Sequence, residues 1–228
     1  SEQVHSELRA YSDAPALFSP HPLFENFGER VERSEACVRL GLDPANRYVL
    51  FFGLIRDYKG LDLLLDAWAQ LRRAGRTEGR RLIVAGEFYP AKEPYLNRIA
   101  DNGLQDEVLL HDRFIPDDDV KYYFSAADFV VQPYKTATQS GVTQIAYQFC
   151  VPMVVTKVGG LAEIVPDGRV GYVCEPTPEG VAGAIERMYE GDTLQRFREN
   201  CVEERRRFSW EEMCSRITEL YGLVASGK

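Results

Sequence analysis

Short apolar runs alternate with stretches of helical periodicity along most of this chain. The runs are Tyr48–Phe52, Leu82–Ala85, Val108–Leu110, Phe129–Val131, Met153–Val155 and Gly171–Val173. Each is almost continuously apolar, the pattern of a strand covered on both faces. Between them, residues 61–73 place Leu64, Leu65, Trp68 and Leu71 on one helical stripe. Thr177 and Pro178 supply an N-cap and a first-turn proline for a helix over 178–190. Ser209 with Glu212 forms a capping box that opens a last helix towards Leu223. The first 45 or so residues read as irregular, with Ser19-Pro20-His21-Pro22 an extended connector, because proline disfavours helix in its predecessor. Within that stretch, residues 29–40 form a short amphipathic helix closed by Gly41.

Six strands alternating with helices predict an α/β fold, a doubly wound Rossmann-like parallel sheet. Right-handed crossovers leave few topologies, and the commonest has strand order 3-2-1-4-5-6. In that order the winding reverses between strands 1 and 4, and ligands bind in the crevice beyond their carboxyl ends. Two loops therefore become candidates: Gly53–Gly60 after strand 1 and Pro133–Gly141 after strand 4.

The first loop holds Arg56 and Lys59 ahead of a glycine that opens the next helix. Two cations beside helix N-terminal N–H groups suit a phosphate; they suit equally a pair of solvated loop charges. The second loop, Thr136-Ala137-Thr138-Gln139-Ser140-Gly141, precedes a helical stretch Val142–Phe149. Its small polar residues leave backbone open to an anion, and Ser140 also fits as a plain N-cap. After strand 5, Gly159-Gly160 permits close backbone approach. Glu163 in the next first turn either bonds a sugar hydroxyl or complements the helix dipole.

Composition narrows the partners. The 228 residues carry 27 Lys+Arg against 35 Asp+Glu, a net charge of −8, with 45% hydrophobic residues. Such a chain buries an ordinary core and is a poor nucleic-acid binder. Its longest apolar stretch, Val49 to Ile55, is too short to span a membrane. The chain shows no signal peptide, and its first residue is not methionine. Five cysteines (Cys37, Cys150, Cys174, Cys201, Cys214), without a C-x-x-C pair, argue for free thiols in a reducing, cytoplasmic setting and against zinc.

Several signatures are missing. There is no G-x-G-x-x-G after strand 1, no P-loop and no G-x-S-x-G elbow. Asp117-Asp118-Asp119 is read as the acidic first turn of a helix rather than a metal site. The three histidines, His5, His21 and His111, have no metal spacing, so no metal is expected. Trp68 and Trp210 are read as packed aromatics.

Four motifs then occur in order: Gly53-x5-Lys59-Gly60; Ala126-Ala127-Asp128-Phe129-Val130-Val131-Gln132-Pro133; a helix ending in Pro152-Met153-Val154-Val155-Thr156; and Gly159-Gly160-Leu161-Ala162-Glu163-Ile164-Val165. Together, over residues 46–225, they resemble the C-terminal half of the retaining GT-B glycosyltransferases of family four (group 1). The resemblance implies that residues 1–45 are the end of an N-terminal acceptor domain plus connector, 46–207 the donor-binding domain, and 208–228 a helix crossing back to that first domain. It implies a nucleoside-diphosphate sugar as donor substrate, no cofactor, and a hexosyl transfer to an acceptor hydroxyl that needs no metal. Lys59 matches the family's phosphate-binding lysine, Gln139 to Val142 its phosphate-contacting backbone, and Phe114 and Ile115 its base contacts. Gly53, Thr138, Ser140, Gly141, Gly159 and Gly160 fall in the same substrate-binding segments, and Arg56, Lys59 and Glu163 are the candidates for catalysis.

Three positions depart from the family pattern: Leu54 stands where an arginine is usual, and Ala137 and Ile145 replace a glutamate pair eight apart. Gln139, Thr138 or Gln144 would then supply neutral hydrogen bonds, Glu163 being the nearest remaining carboxylate. On this reading the chain by itself binds nucleotide and turns nothing over, and only the full-length protein would associate peripherally with a membrane. Two alternatives stay open: a binding or scaffold relative that has lost catalysis, and a nucleotide-sugar epimerase of GT-B type, for which the cleft offers few acid–base groups.

Overall fold

The computed structural model describes residues 2–89 and 91–226. Six strands, β1 (Arg47–Phe52), β2 (Arg80–Ala85), β3 (Val108–His111), β4 (Phe129–Gln132), β5 (Met153–Thr156) and β6 (Gly171–Cys174), form one sheet. The order is β3-β2-β1-β4-β5-β6 and every pair is parallel, as the alternation predicts.

Among the described residues ten α-helices accompany it: α1 (Glu2–Arg9), α2 (Arg33–Leu40), α3 (Leu61–Arg73), α4 (Glu93–Asp101), α5 (Asp117–Ala126), α6 (Gly141–Gln148), α7 (Leu161–Ile164), α8 (Pro178–Met188), α9 (Thr193–Glu204) and α10 (Trp210–Ala225). Because successive strand residues point to opposite faces, the sheet has two cores. Leu50, Phe52, Val130 and Val155 pack against α2, α5 and α6 on one side. Val49, Phe51, Val131 and Val154 pack against α3 and α8 on the other.

The sequence signals hold where a cap or a buried stripe is present. Gly41 closes α2 in the left-handed conformation (φ 67°). Ser140, Thr177 and Ser209 each accept a backbone N–H at the starts of α6, α8 and α10. Asp117–Asp119 do open α5, where Asp117 accepts from Asn26 and Asp119 pairs with Arg39.

Other readings need correction. The opening stretch is not wholly irregular, since α1 covers Glu2–Arg9, a two-turn helix whose apolar residues Val4 and Leu8 share one face but stay exposed. The helix expected over 29–40 starts only at Arg33. Glu32 is extended, and the Val31 N–H is taken by Ser125 Oγ at 3.1 Å. Trp68 is fully buried and donates to Glu107 at 2.8 Å, whereas Trp210, also expected to be packed, is half exposed on α10. Among the described residues no helix is long and apolar enough to cross a membrane.

Candidate functional site

β1 and β4 end side by side, and the chain leaving each runs across the other. Gly60 sits at φ 69°, and a Cβ there would fall 1.9 Å from the Pro133 carbonyl oxygen. Only glycine lets the loop after β1 lie on the loop after β4. The crossing is held by further ties. The Lys135 N–H donates to the Tyr58 carbonyl at 2.7 Å. The Lys135 ammonium meets Asp57 at 2.8 Å and Asp62 at 2.9 Å. The Tyr58 and Tyr134 rings meet edge to face at 5.9 Å.

That crossing buries Lys59, which is 9% exposed. Its ammonium lies 5.9 Å from the Tyr134 ring centroid, and a Cβ on Gly53 would come within 3.1 Å of it. No carboxylate pairs with it among the described residues. Burial, and after it the nearby Arg56 charge, pull its pKa down to about 8. A buried cation without a counter-charge is costly unless something anionic arrives.

Facing Lys59 is the amino end of α6. Both line one cleft of about 330 Å³, with Gly53, Gln139, Ser140, Gly141 and Val142. Ser140 Oγ accepts from the Val142 N–H at 3.2 Å and lies 3.1 Å from the Tyr134 hydroxyl. Tyr134 thus touches both halves of the cleft. Its own hydroxyl is pushed up to about 12 by burial, so it stays protonated. A second recess of about 310 Å³ adjoins the first through Phe27, Phe52 and Gly53, and is walled by Phe114, Ile115 and Gly86. One end of the combined crevice offers the Lys59 ammonium and the amino end of α6, and the other a mostly apolar wall of Phe52, Phe114, Ile115 and Val120 whose lining also includes Glu87 and Asp117.

The structure therefore gathers Gly53, Lys59, Gln139, Ser140, Gly141 and Val142 around one recess and Phe114 and Ile115 around its neighbour. Other candidates stand apart from both linings. Arg56 is exposed and stacks on Tyr89, with its guanidinium carbon 4.4 Å from the ring centroid. Thr138 and the Gly159-Gly160 turn form a second crossing: the Gly160 N–H donates to the Thr138 carbonyl at 3.3 Å. A Cβ on Gly159 would lie 1.5 Å from the Ala137 oxygen. Glu163 is exposed on α7, where its carbonyl accepts from Arg207. Gln144 is buried outside the cleft lining, and Ile145 presents an apolar wall to it.

Inspection of the sequence did not single out Tyr134, Lys135, Phe24 or Phe27. Tyr134 and Lys135 lie in the loop that the strand order flags, so position was the available signal. The two phenylalanines reach the cleft from the connector and carry no local mark.

A doubly wound parallel sheet with a crevice at its switch point defines a Rossmann-like unit. Residues 46–191 match the family model described as glycosyl transferases group 1. D-inositol 3-phosphate glycosyltransferase 2 of Catenulispora acidiphila is 33% identical across 97% of this chain and 54% of its own length. Alpha-D-kanosaminyltransferase of Streptomyces kanamyceticus is 28% identical across 89% of the chain and 53% of its own length. The chain thus belongs to the group 1 glycosyltransferase family and spans about half the length of the curated relatives it matches.

Solved structures agree in fold. Sucrose-phosphate synthase from Thermosynechococcus elongatus superposes with a TM-score of 0.82 at 22% identity, over 100% of this chain and 58% of that one. Anabaena HepE in complex with UDP-glucose gives a TM-score of 0.73 at 21% identity, over 88% of this chain and 56% of that one. The sheet is that of the GT-B glycosyltransferases.

Proposed function

We propose that this chain is the donor-binding half of a glycosyltransferase, which takes a nucleoside-diphosphate sugar and passes a hexosyl group to an acceptor hydroxyl with retention. The observation that carries the proposal is Lys59, a buried ammonium without a counter-ion facing the amino end of α6 across one cleft. In this reading the diphosphate lies between Lys59 and the amino end of α6, with Gly53, Ser140 and Gly141 beside it and Arg56 outside the cleft lining. The base rests on Phe114 and Ile115. Gln139, in the cleft lining, faces the sugar, while Thr138, Gly159, Gly160 and Glu163 belong to the neighbouring crossing outside that lining. HepE, whose fold this chain shares, has been solved with UDP and with UDP-glucose, which supports a nucleotide in the corresponding crevice.

The chemistry asked of these groups is electrostatic. As the bond from the anomeric carbon to the diphosphate oxygen breaks and the acceptor oxygen takes its place, negative charge grows on the diphosphate. Lys59 and the α6 dipole oppose that charge from fixed positions. This role needs no metal and no cofactor. The acceptor is held by an N-terminal domain that this chain does not contain. The chain alone therefore binds nucleotide without transferring sugar, and measurable transfer by it would contradict this.

Ile145 on the cleft wall, and Ala137 beneath Gly159, favour one second reading: a relative that binds nucleotide sugar but has lost catalysis. Thermal unfolding with UDP, GDP and ADP tests the shared part. At a hundredfold excess over Kd, one-site binding stabilises by about 2.7 kcal/mol. No shift with any of them refutes the site. A shift with full-length protein that transfers nothing from a panel of donors selects the second reading.

A further inference from the structure

Among the described residues that line the cleft of about 330 Å³, Lys59 is the only charged side chain; the rest are aromatic, aliphatic, glycine or uncharged polar. Its ammonium makes no hydrogen bond or ion pair among the described residues, and its neighbour is the Tyr134 ring, 5.9 Å away at the centroid. Gly53 stands beside it without a side chain: a Cβ there would come within 3.1 Å of Nζ. Other lysines of the chain are placed differently. Lys92 is bonded to Asp112 at 2.8 Å, Lys135 to Asp57 and Asp62, and Lys157 stands exposed.

An amine taken out of water beside a second cation is a nucleophile in the making, because both effects favour its neutral form. Both act on Lys59, burial first and then Arg56. With its pKa at about 8, about one Lys59 amine in five is free of its proton near pH 7.4, against about one in a thousand for an ordinary lysine. The charged or titratable groups around it are Arg56 on its own loop and the Tyr58 and Tyr134 phenols; the connector, β1 and α6 add none to the lining.

The opposite wall selects the electrophile. Ser140 and the amino end of α6 face the amine across the cleft, and a helix amino end favours an anion. A reagent with a phosphate at one end and a reactive carbon at the other would set the phosphate on α6 and the carbon near Nζ.

We propose that Lys59 is an acylation site, which takes the acyl group of a small acyl phosphate docked between it and the amino end of α6. The neutral Nζ attacks the carbonyl carbon. The N–C bond forms, the C–O bond to the phosphate breaks, inorganic phosphate leaves with the electron pair, and the nitrogen gives its surplus proton to solvent. The product is a neutral amide, so the buried charge is gone. The modified chain should melt at a higher temperature than its parent. Resting on the reading of the cleft given above, it should also lose its affinity for nucleotide.

Incubating the 228-residue chain with acetyl phosphate near pH 7.4, and following each lysine by peptide mass spectrometry, tests the site. The larger share of free amine, partly offset by the weaker nucleophilicity of a less basic nitrogen, should acetylate Lys59 about tenfold faster than Lys157. The rate should saturate with acetyl phosphate, inorganic pyrophosphate should protect Lys59 and spare Lys157, and the preference should vanish in urea. Lys59 reacting no faster than Lys157, or keeping its preference in urea, would overturn the proposal. Full reactivity of Lys59 under saturating pyrophosphate would overturn it too, since no docked phosphate would then be involved. UDP titration of the unmodified chain keeps this apart from the nucleotide reading. A chain that binds UDP while Lys59 stays inert refutes the acylation site alone; a chain that acetylates at Lys59 as described but binds no UDP sustains the site and refutes the nucleotide reading.

Discussion

Replacing Lys59 by methionine should stabilise the free protein and abolish nucleotide binding in the same variant. An ordinary lysine titrates near 10.5, and Lys59 is held at about 8 by burial and the Arg56 charge. The gap corresponds to about 3 kcal/mol that the fold spends keeping the ammonium charged. The sign follows from proton counting. Below about pH 8 both folded and unfolded chains carry the proton and the penalty is present in full. Between that pH and the unfolded value the unfolded chain alone keeps it, so stability rises with pH; above both, the penalty is gone. Methionine keeps the length of the side chain and removes the charge, so near pH 7 it should recover up to about 3 kcal/mol, less any packing mismatch. Nucleotide affinity should run the other way, falling as pH climbs through about 8 and Lys59 loses its proton. Urea melts of both proteins near pH 7 and pH 10, with UDP titrations at the same pH values, check each half. A methionine variant less stable than the parent near pH 7 would refute the unpaired-charge reasoning. Nucleotide affinity flat across pH 8 would refute Lys59 as the diphosphate's cation.

Three further expectations follow from the same contacts. Gly60→Ala places a Cβ 1.9 Å from the Pro133 oxygen at a left-handed φ, so it should cost about 3 kcal/mol in a denaturant melt and reduce UDP affinity by parting the two loops. Lys135→Met removes the ammonium from Asp57 and Asp62, the first of which is 80% exposed. Stability should fall by under about 1 kcal/mol, while nucleotide affinity falls further because the loops lose a tie, and calorimetry beside a melt separates the two. Trp68→Phe leaves the buried α3 stripe short of one ring and of the 2.8 Å bond to Glu107; a melt should show a loss of about 2–3 kcal/mol with UDP affinity unchanged.

Apolar periodicity and cap chemistry are local, and both survive as signals in a linear chain. The six runs from Tyr48 to Val173 became β1 to β6. Ser140, Thr177 and Ser209 began helices, and a parallel sheet with right-handed crossovers admits so few orders that the switch point could be named in advance. The β1 and β4 loops, with Lys59 and Ser140 among their residues, were legible as the candidate site for that reason.

What only the tertiary structure decided is how those loops cross. Whether Arg56 and Lys59 act alike depends on burial: Lys59 is folded under the Pro133–Lys135 segment and loses its solvent, whereas Arg56, three residues earlier, lies outside on Tyr89. Tyr134 lying over Lys59, Phe24 and Phe27 reaching in from the connector, and Arg47 meeting Asp128 at the far edge are contacts between residues far apart in sequence. Such contacts follow from packing, which the order of residues along one segment does not encode. Desolvation, which lowers the Lys59 pKa, arises only once those distant segments have closed over each other.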